Sequence, residues 1–157
     1  MLVVLQRVVR AAVRVDGEPV GEIGLGACLL ACALAGDEPA DAHWLAGKIA
    51  TLRLFEDGAG RTNLALADVG GAILLVPQFT LAADWRKGRR PSFSGAAAPG
   101  QARGLLGLLA GALAGAGLAV AQGRFGAAME LDLVNQGPFT LILDSRERPG
   151  AKGRASP

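Results

Sequence analysis

The 157-residue sequence predicts an α/β fold of the mixed α+β kind in which strands outnumber helices. Three observations predict it. The run Leu2–Val15 reads as one long strand and ends at Asp16-Gly17, a strong two-residue hairpin signal. Two apolar runs, 27–34 and 72–78, have the length and the flanking glycine or polar residues of buried strands. Helical spacing shows only in Trp44, Leu45, Ile49 and Leu52, and helical composition in an Ala-rich stretch after residue 100. The length suits one domain with one core, and an apolar content of 51% argues against disorder.

The elements follow in order. Glu18–Ile23 returns as partner of the first strand, and Gly24 and Gly26 punctuate before the strand at 27–34. Asp37 or Asp41 caps a helix that runs to about Leu54. Asp57-Gly58 and Gly60 turn the chain, 63–66 offers a short strand, and Gly70-Gly71 turn it again. The strand 72–78 is central. A long basic loop, 82–100, carries Pro91 and leads into the Ala-rich helix; loops of that length in a compact domain serve function or move. Strands at 118–121, 129–134 and 138–144 complete the domain, assigned to residues 1–145. The basic tail 146–157 is expected to be disordered.

Several functions are excluded early. A net charge of +2 does not by itself argue for nucleic acid. Cys28 and Cys32 share a strand face too far apart to bridge and read as buried free thiols in a reducing cytoplasm. With His43 on the polar start of a helix, they supply too few ligands for a metal. Residues 2–5 are a short apolar run broken by Gln6 and Arg7, so no secretory signal is expected. Residues 104–121 carry no charge and contain the ladder Gly107, Gly111, Gly115. Their Gly and Ala content makes them only weakly hydrophobic, so a helix packed closely on a sheet fits better than a membrane span.

Two stretches carry the chemistry: Pro77-Gln78-Phe79-Thr80-Leu81 and Asn135-Gln136-Gly137-Pro138-Phe139-Thr140. Each follows an apolar run read as a buried strand, 72–76 and 131–134, and α/β folds place sites at such strand ends. Neither holds a His, a Cys or paired carboxylates, so a site here works with backbone N–H and C=O groups and one hydroxyl. The N–H groups of Phe79 and Thr80 suit an oxyanion hole. Thr80 can attack or position a group, but no base is evident beside it; the plainer reading is a Thr satisfied by the next strand. Gln78 orients a substrate or caps the sheet edge. Gly137-Pro138 is a bend or bulge at a sheet edge or, if cis, a pair of carbonyls that receives an ammonium group and excludes one enantiomer by overlap. Arg86, Lys87, Arg89 and Arg90, flanked by Trp85 and Phe93, grip a phosphate backbone and stack a base, or simply solvate the loop.

The residues also carry a resemblance. Leu5-Gln6-Arg7-Val8, Val15-Asp16-Gly17, Gly21-Glu22-Ile23-Gly24, Leu54-Phe55-Glu56-Asp57, Gln78-Phe79-Thr80-Leu81, Arg86-Lys87-Gly88, Arg90-Pro91-Ser92-Phe93-Ser94-Gly95-Ala96, Gly123-Arg124-Phe125-Gly126 and residues 135–140 stand in one order. Over residues 1–145 the chain resembles the D-aminoacyl-tRNA deacylases of the bacterial and eukaryotic type. The resemblance implies a mostly antiparallel mixed sheet curved into a half-barrel with two main helices, closed by homodimerisation. It implies hydrolysis of D-aminoacyl-tRNA in the cytoplasm without metal or cofactor, a reach that extends to esters of achiral glycine. In the family the Gly-Pro pair is cis and enters the partner's site, which sets Gly137 and Pro138 beside the other chain's Phe79 and Thr80. Arg7 then holds the Gly-Pro carbonyls, with Asn135 and Met129 among the substrate-binding positions. The family's Thr is viewed as nucleophile, yet catalysis is also attributed to the tRNA's own terminal ribose hydroxyl; the missing base favours the second, with Thr80 as a positioner. Two positions depart from the pattern. Pro77 replaces the usual Ser, as in a related deacylase that acts on L-alanyl-tRNA, and Ala128 stands where Asp commonly precedes Met129. The competing readings are a non-catalytic RNA-binding protein using the basic loop, and an interaction protein that assembles through its glycine ladder.

Overall fold

The computed structural model describes residues 1–150; residues 151–157, the far part of the expected tail, lie outside the described residues. Among the described residues the order is β1 (Leu2–Val15), β2 (Glu18–Ile23), β3 (Gly26–Cys32), α1 (Pro39–Thr51), β4 (Phe55–Glu56), β5 (Thr62–Leu64), β6 (Ala72–Pro77), α2 (Pro99–Gly115), β7 (Ala119–Gln122) and β8 (Glu130–Asp144).

β1 is long enough to serve three partners. Residues 2–8 pair with β3, residues 11–15 with β2, and β8 runs antiparallel along the opposite edge from Asp144 to Glu130. β6 joins β3 in parallel and β7 joins β6 in parallel, so the main sheet is mixed and mostly antiparallel. Its hairpin turn has positive φ at both Asp16 (53°) and Gly17 (80°), the backbone a two-residue primed turn demands. The sheet curls until β2 approaches β7: a Cβ on Gly21 would lie 2.9 Å from the Gln122 carbonyl oxygen. The result is a sheet nearly closed into a barrel, with two helices outside it.

Two cores follow from that curl. Val8, Ala11, Val13, Ile23, Cys28, Leu74 and Val76, with Ala121, Leu131 and Leu133, draw on all six strands and fill the inside. Val3, Leu5, Leu29, Ile73 and Leu75 face the other way, under Leu45 and Ile49 of α1 and Leu105, Leu109 and Leu113 of α2. No helix among the described residues is long and apolar enough to cross a membrane.

Four expectations change. Helix α1 begins at Pro39 with Glu38 as its cap; Asp41, three residues on, accepts the Glu38 N–H at 2.8 Å, the reciprocal half of a capping box. Asp37 is buried instead, accepting the Leu34 N–H at 2.6 Å and pairing with the Met1 ammonium at 2.7 Å. On α2 the glycine ladder does not pack on the sheet, since a Cβ at Gly107, Gly111 or Gly115 would meet nothing within 4 Å. The strands expected at 129–134 and 138–144 are one strand, β8, whose residues 131–134 alternate between half-buried and exposed. Finally, the chain just after Asp144 is docked. Ser145 is buried and donates its N–H to the Met1 carbonyl at 2.9 Å, and the Arg148 guanidinium donates to Asp41 at 3.0 Å.

Candidate active site

Two separate places hold the two stretches singled out from the sequence. The first is at the carboxyl end of parallel β3 and β6. β6 stops at Pro77, which has no N–H to extend the ladder; the last link is Gln78 N–H to the Ala31 carbonyl at 2.8 Å. The chain then tightens into a 3₁₀ turn, Phe79–Ala82. Phe79 and Thr80 lead that turn, where amides have no acceptor within the turn itself. A cleft of about 590 Å³ opens beside them, walled by Cys32, Pro77, Gln78, Phe79, Ala102, Leu106, Phe125, Met129 and Leu131.

Its lining is apolar and carries no charged side chain. Burial pushes the Cys32 thiol up to about 11, which keeps it protonated and unreactive at neutral pH. Thr80 is exposed, and its hydroxyl oxygen accepts a hydrogen bond from the Gln78 side-chain amide, a group that is no base. Phe79 is 59% exposed and meets Phe93 edge to face, ring centroids 5.2 Å apart. A Cβ on Gly123 would stand 2.8 Å from the Met129 sulfur and 3.5 Å from Pro77, so the 123–128 loop closes tightly over the end of β6. The cleft wall therefore offers shape and backbone, and no side chain suited to proton transfer; Thr80, one residue past Phe79, stands outside the wall.

The second place is the middle of β8. Thr140 pairs with Gln6 and Asn135 with Val8, so four residues of β8, including Gly137 and Pro138, bulge out opposite Arg7. The Gly137-Pro138 bond is cis. Arg7 is 4% exposed, an unusual site for a cation, and it spends its donors on carbonyls. Nε bonds the Gln136 oxygen and Nη2 the Gly137 oxygen, both at 3.1 Å, and Nη1 bonds the Leu54 oxygen. The guanidinium also lies over the Phe139 ring at 4.3 Å. The Asn135 amide donates to the Arg7 carbonyl at 2.8 Å and to that of Phe139 at 3.3 Å. Residues 136–138 of the bulge are exposed, and Phe139 is half-buried.

Within the chain these two places stay apart. Gly137 sits six residues beyond Leu131 on β8, about 20 Å of strand, and neither Gly137 nor Pro138 lines the cleft.

The basic loop adds a third group. Asp84 and Ser92 exchange backbone hydrogen bonds at 2.7 and 2.9 Å and close its neck. Arg86 turns back on Asp84 with two bonds of 2.9 Å, so it is already paired, and that fork holds the Asp84 carboxyl down at about 2. Lys87, Arg89 and Arg90 are exposed and, among the described residues, have no acidic partner. Sequence reasoning gave no role to Phe125, Ala102 or Cys32 in the cleft wall, nor to Arg103, which holds Phe125 from α2 at 5.0 Å. The stretch Gly123-Arg124-Phe125-Gly126 was the available signal for Phe125; Ala102 and Cys32 lie in plain apolar runs that give none.

Comparison with known proteins gives the chain's family. The family model described as D-Tyr-tRNA(Tyr) deacylase matches residues 4–144. A D-aminoacyl-tRNA deacylase of Thermomicrobium roseum is 54% identical over 150 residues, covering 96% of this chain and 97% of that protein. One of Ruegeria pomeroyi is 50% identical over 144 residues, covering 92% and 99%. Among solved structures, a c-Myc DNA Unwinding Element Binding Protein superposes with a TM-score of 0.84 at 36% identity, covering 92% of this chain and 98% of that one. A probable eukaryotic D-amino acid tRNA deacylase shares the fold with a TM-score of 0.78 at 19% identity, covering 90% and 97%. A cleft built from main-chain donors, an arginine that orients carbonyls on β8, and a family match spanning both together lead to one conclusion: the chain belongs to the D-Tyr-tRNA(Tyr) deacylase family.

Proposed function

We propose that the protein hydrolyses the ester between a D-amino acid and the terminal adenosine of tRNA, releasing free tRNA and the amino acid. It works as a homodimer in which Gly137 and Pro138 of one protomer stand at the partner's Phe79 and Thr80. The observation that carries the reading is the use of Arg7: a buried cation orients the Gln136 and Gly137 carbonyls on an exposed bulge far from its own cleft. Val9 and Val134, both exposed, flank that bulge and supply apolar surface for a second copy.

In this arrangement the substrate's ammonium group meets carbonyl oxygens, and its α-carbon meets backbone on one side only. A D-residue directs its side chain outward, so many side chains are tolerated; an L-residue directs it into the main chain. The N–H groups of Phe79 and Thr80 stabilise the oxyanion as water adds to the ester carbonyl. Proton transfer falls to the neighbouring ribose hydroxyl, since the cleft lining holds no base. Gln78 and Thr80 position the ester, Asn135 holds the bulge, and Met129 and Pro77 shape the wall. The chemistry uses neither metal nor cofactor, and a tRNA substrate implies the cytoplasm.

The test is incubation of the purified protein with D-Tyr-tRNA, L-Tyr-tRNA and L-Ala-tRNA, following ester loss. Rapid loss of the D-ester alone is expected. Preferential loss of L-Ala-tRNA assigns the protein to the related L-alanyl activity and ties it to Pro77, whose replacement by Ser then shifts the preference. No loss of any ester, with tRNA still bound, makes it a non-catalytic binding protein.

A further inference from the structure

We propose that Trp85 stacks on an unpaired nucleotide of the tRNA acceptor end, while Lys87, Arg89 and Arg90 take the neighbouring phosphates and the Asp84–Arg86 fork braces the loop that presents them. This rests on the deacylase reading and deepens it by naming what holds the RNA outside the ester site.

The chain has only seven aromatic residues, five Phe and two Trp. Those that are exposed gather at one place: Phe79 at 59%, Phe93 at 38% and Trp85 at 74%. Single exposed apolar residues need no explanation, but this grouping beside the cleft does. Trp85 follows Asp84, whose backbone pairs with Ser92, and Ser92 precedes Phe93, which meets Phe79 at 5.2 Å. A continuous path therefore runs from the strand end to the indole.

The loop is braced. The backbone pair between Asp84 and Ser92 closes its neck, and Arg86 returns both its fork and its N–H to the Asp84 carboxylate. Arg86 is thus spent as a strut. Beyond it stand three exposed cations with no acidic partner among the described residues. Flat π-faces beside positive charge match one chemistry, single-stranded nucleic acid, because bases inside a duplex are already stacked on each other. The acceptor end is the single-stranded part of tRNA that must pass here when its terminal ester enters the cleft.

Two esters separate this inference from the reading it rests on: D-aminoacyl-tRNA and D-aminoacyl-adenosine, which lacks the upstream nucleotides. For Trp85→Leu, kcat/KM on the tRNA ester relative to the adenosine ester should fall about tenfold or more, mostly through KM. Trp85→Phe, which keeps a stacking face, should recover most of that ratio. An unchanged ratio in Trp85→Leu overturns the proposal and leaves the deacylase reading intact. Should the wild-type protein cleave neither ester, the deacylase reading falls, and fluorescence decides the stacking alone. Quenching of tryptophan emission by a short single-stranded oligoribonucleotide, lost in Trp85→Leu, supports it; absence of quenching in the wild type refutes it.

Discussion

Thr80 makes the residue-scale question concrete, because its hydroxyl has an amide for a neighbour and no base. Thr80→Ala should lower kcat/KM by less than about tenfold, whereas loss of a true nucleophile costs on the order of 10⁴-fold or more. A single-turnover rate on D-Tyr-tRNA distinguishes the two. The thiols give a pH prediction. Burial pushes both Cys28 and Cys32 from 9.0 up to about 11. Between about pH 9 and about pH 11 the unfolded chain releases these protons while the folded chain keeps them, so stability is intact below that window and falls across it. Denaturant midpoints measured through the window should decline, and Cys28→Ala with Cys32→Ala should flatten the decline. At this scale the sequence exposed the site only in part. Phe79, Thr80 and Gly137 stood out by type and position, and Arg7 only through the family resemblance. The pairing of Arg86 with Asp84 did not, because two oppositely charged residues in a loop meet only if the backbone turns between them.

Elements were legible where a single physical cause decides them. The β1–β2 hairpin follows from Asp16-Gly17, and β6 from an apolar run that Pro77 ends. Helix α1 was found but its start was not, since Asp37 left the capping role for a buried ion pair with the Met1 ammonium. β8 was split in two because Gly137 and Pro138 are strand breakers by composition, and only pairing with β1 on both sides of the bulge shows one strand. The close pass of β3 and β6 gives a test here. A side chain at Gly26 would overlap the Ala72 carbonyl, which belongs to backbone and has no rotamer to give. Gly26→Ala should therefore destabilise the fold by about 3 kcal/mol or more, at or above the usual range for overpacking, seen as a lowered denaturant midpoint.

For the whole molecule, the fold class and the two candidate stretches were within reach of the sequence, but their spatial relation was not. One chain holds the Phe79 turn after β6 and the Gly137 bulge on β8, outside the cleft that Phe79 lines, so no local pattern joins them. A second copy is the proposed link, and it makes a prediction at this scale. Light scattering should give twice the chain mass, and Val9→Asp with Val134→Asp should halve it. The separated chains should keep their circular dichroism and lose deacylation of D-Tyr-tRNA.

The order of the strands also bears on synthesis. Among the described strands β1 is made before the others and β8, its partner along one whole edge, after them. Roughly a hundred residues separate β3 from β8, which at translation speeds of about 5–20 residues per second leaves that edge open for several seconds to about twenty. During that interval the edge of β1 that β8 will cover, on a strand mostly of Val, Leu and Ala, stays open to any neighbouring strand. Slow codons after the β3 region should therefore lower the soluble yield, and a permutant that makes the β8 segment directly before β1 should be relieved of that hazard.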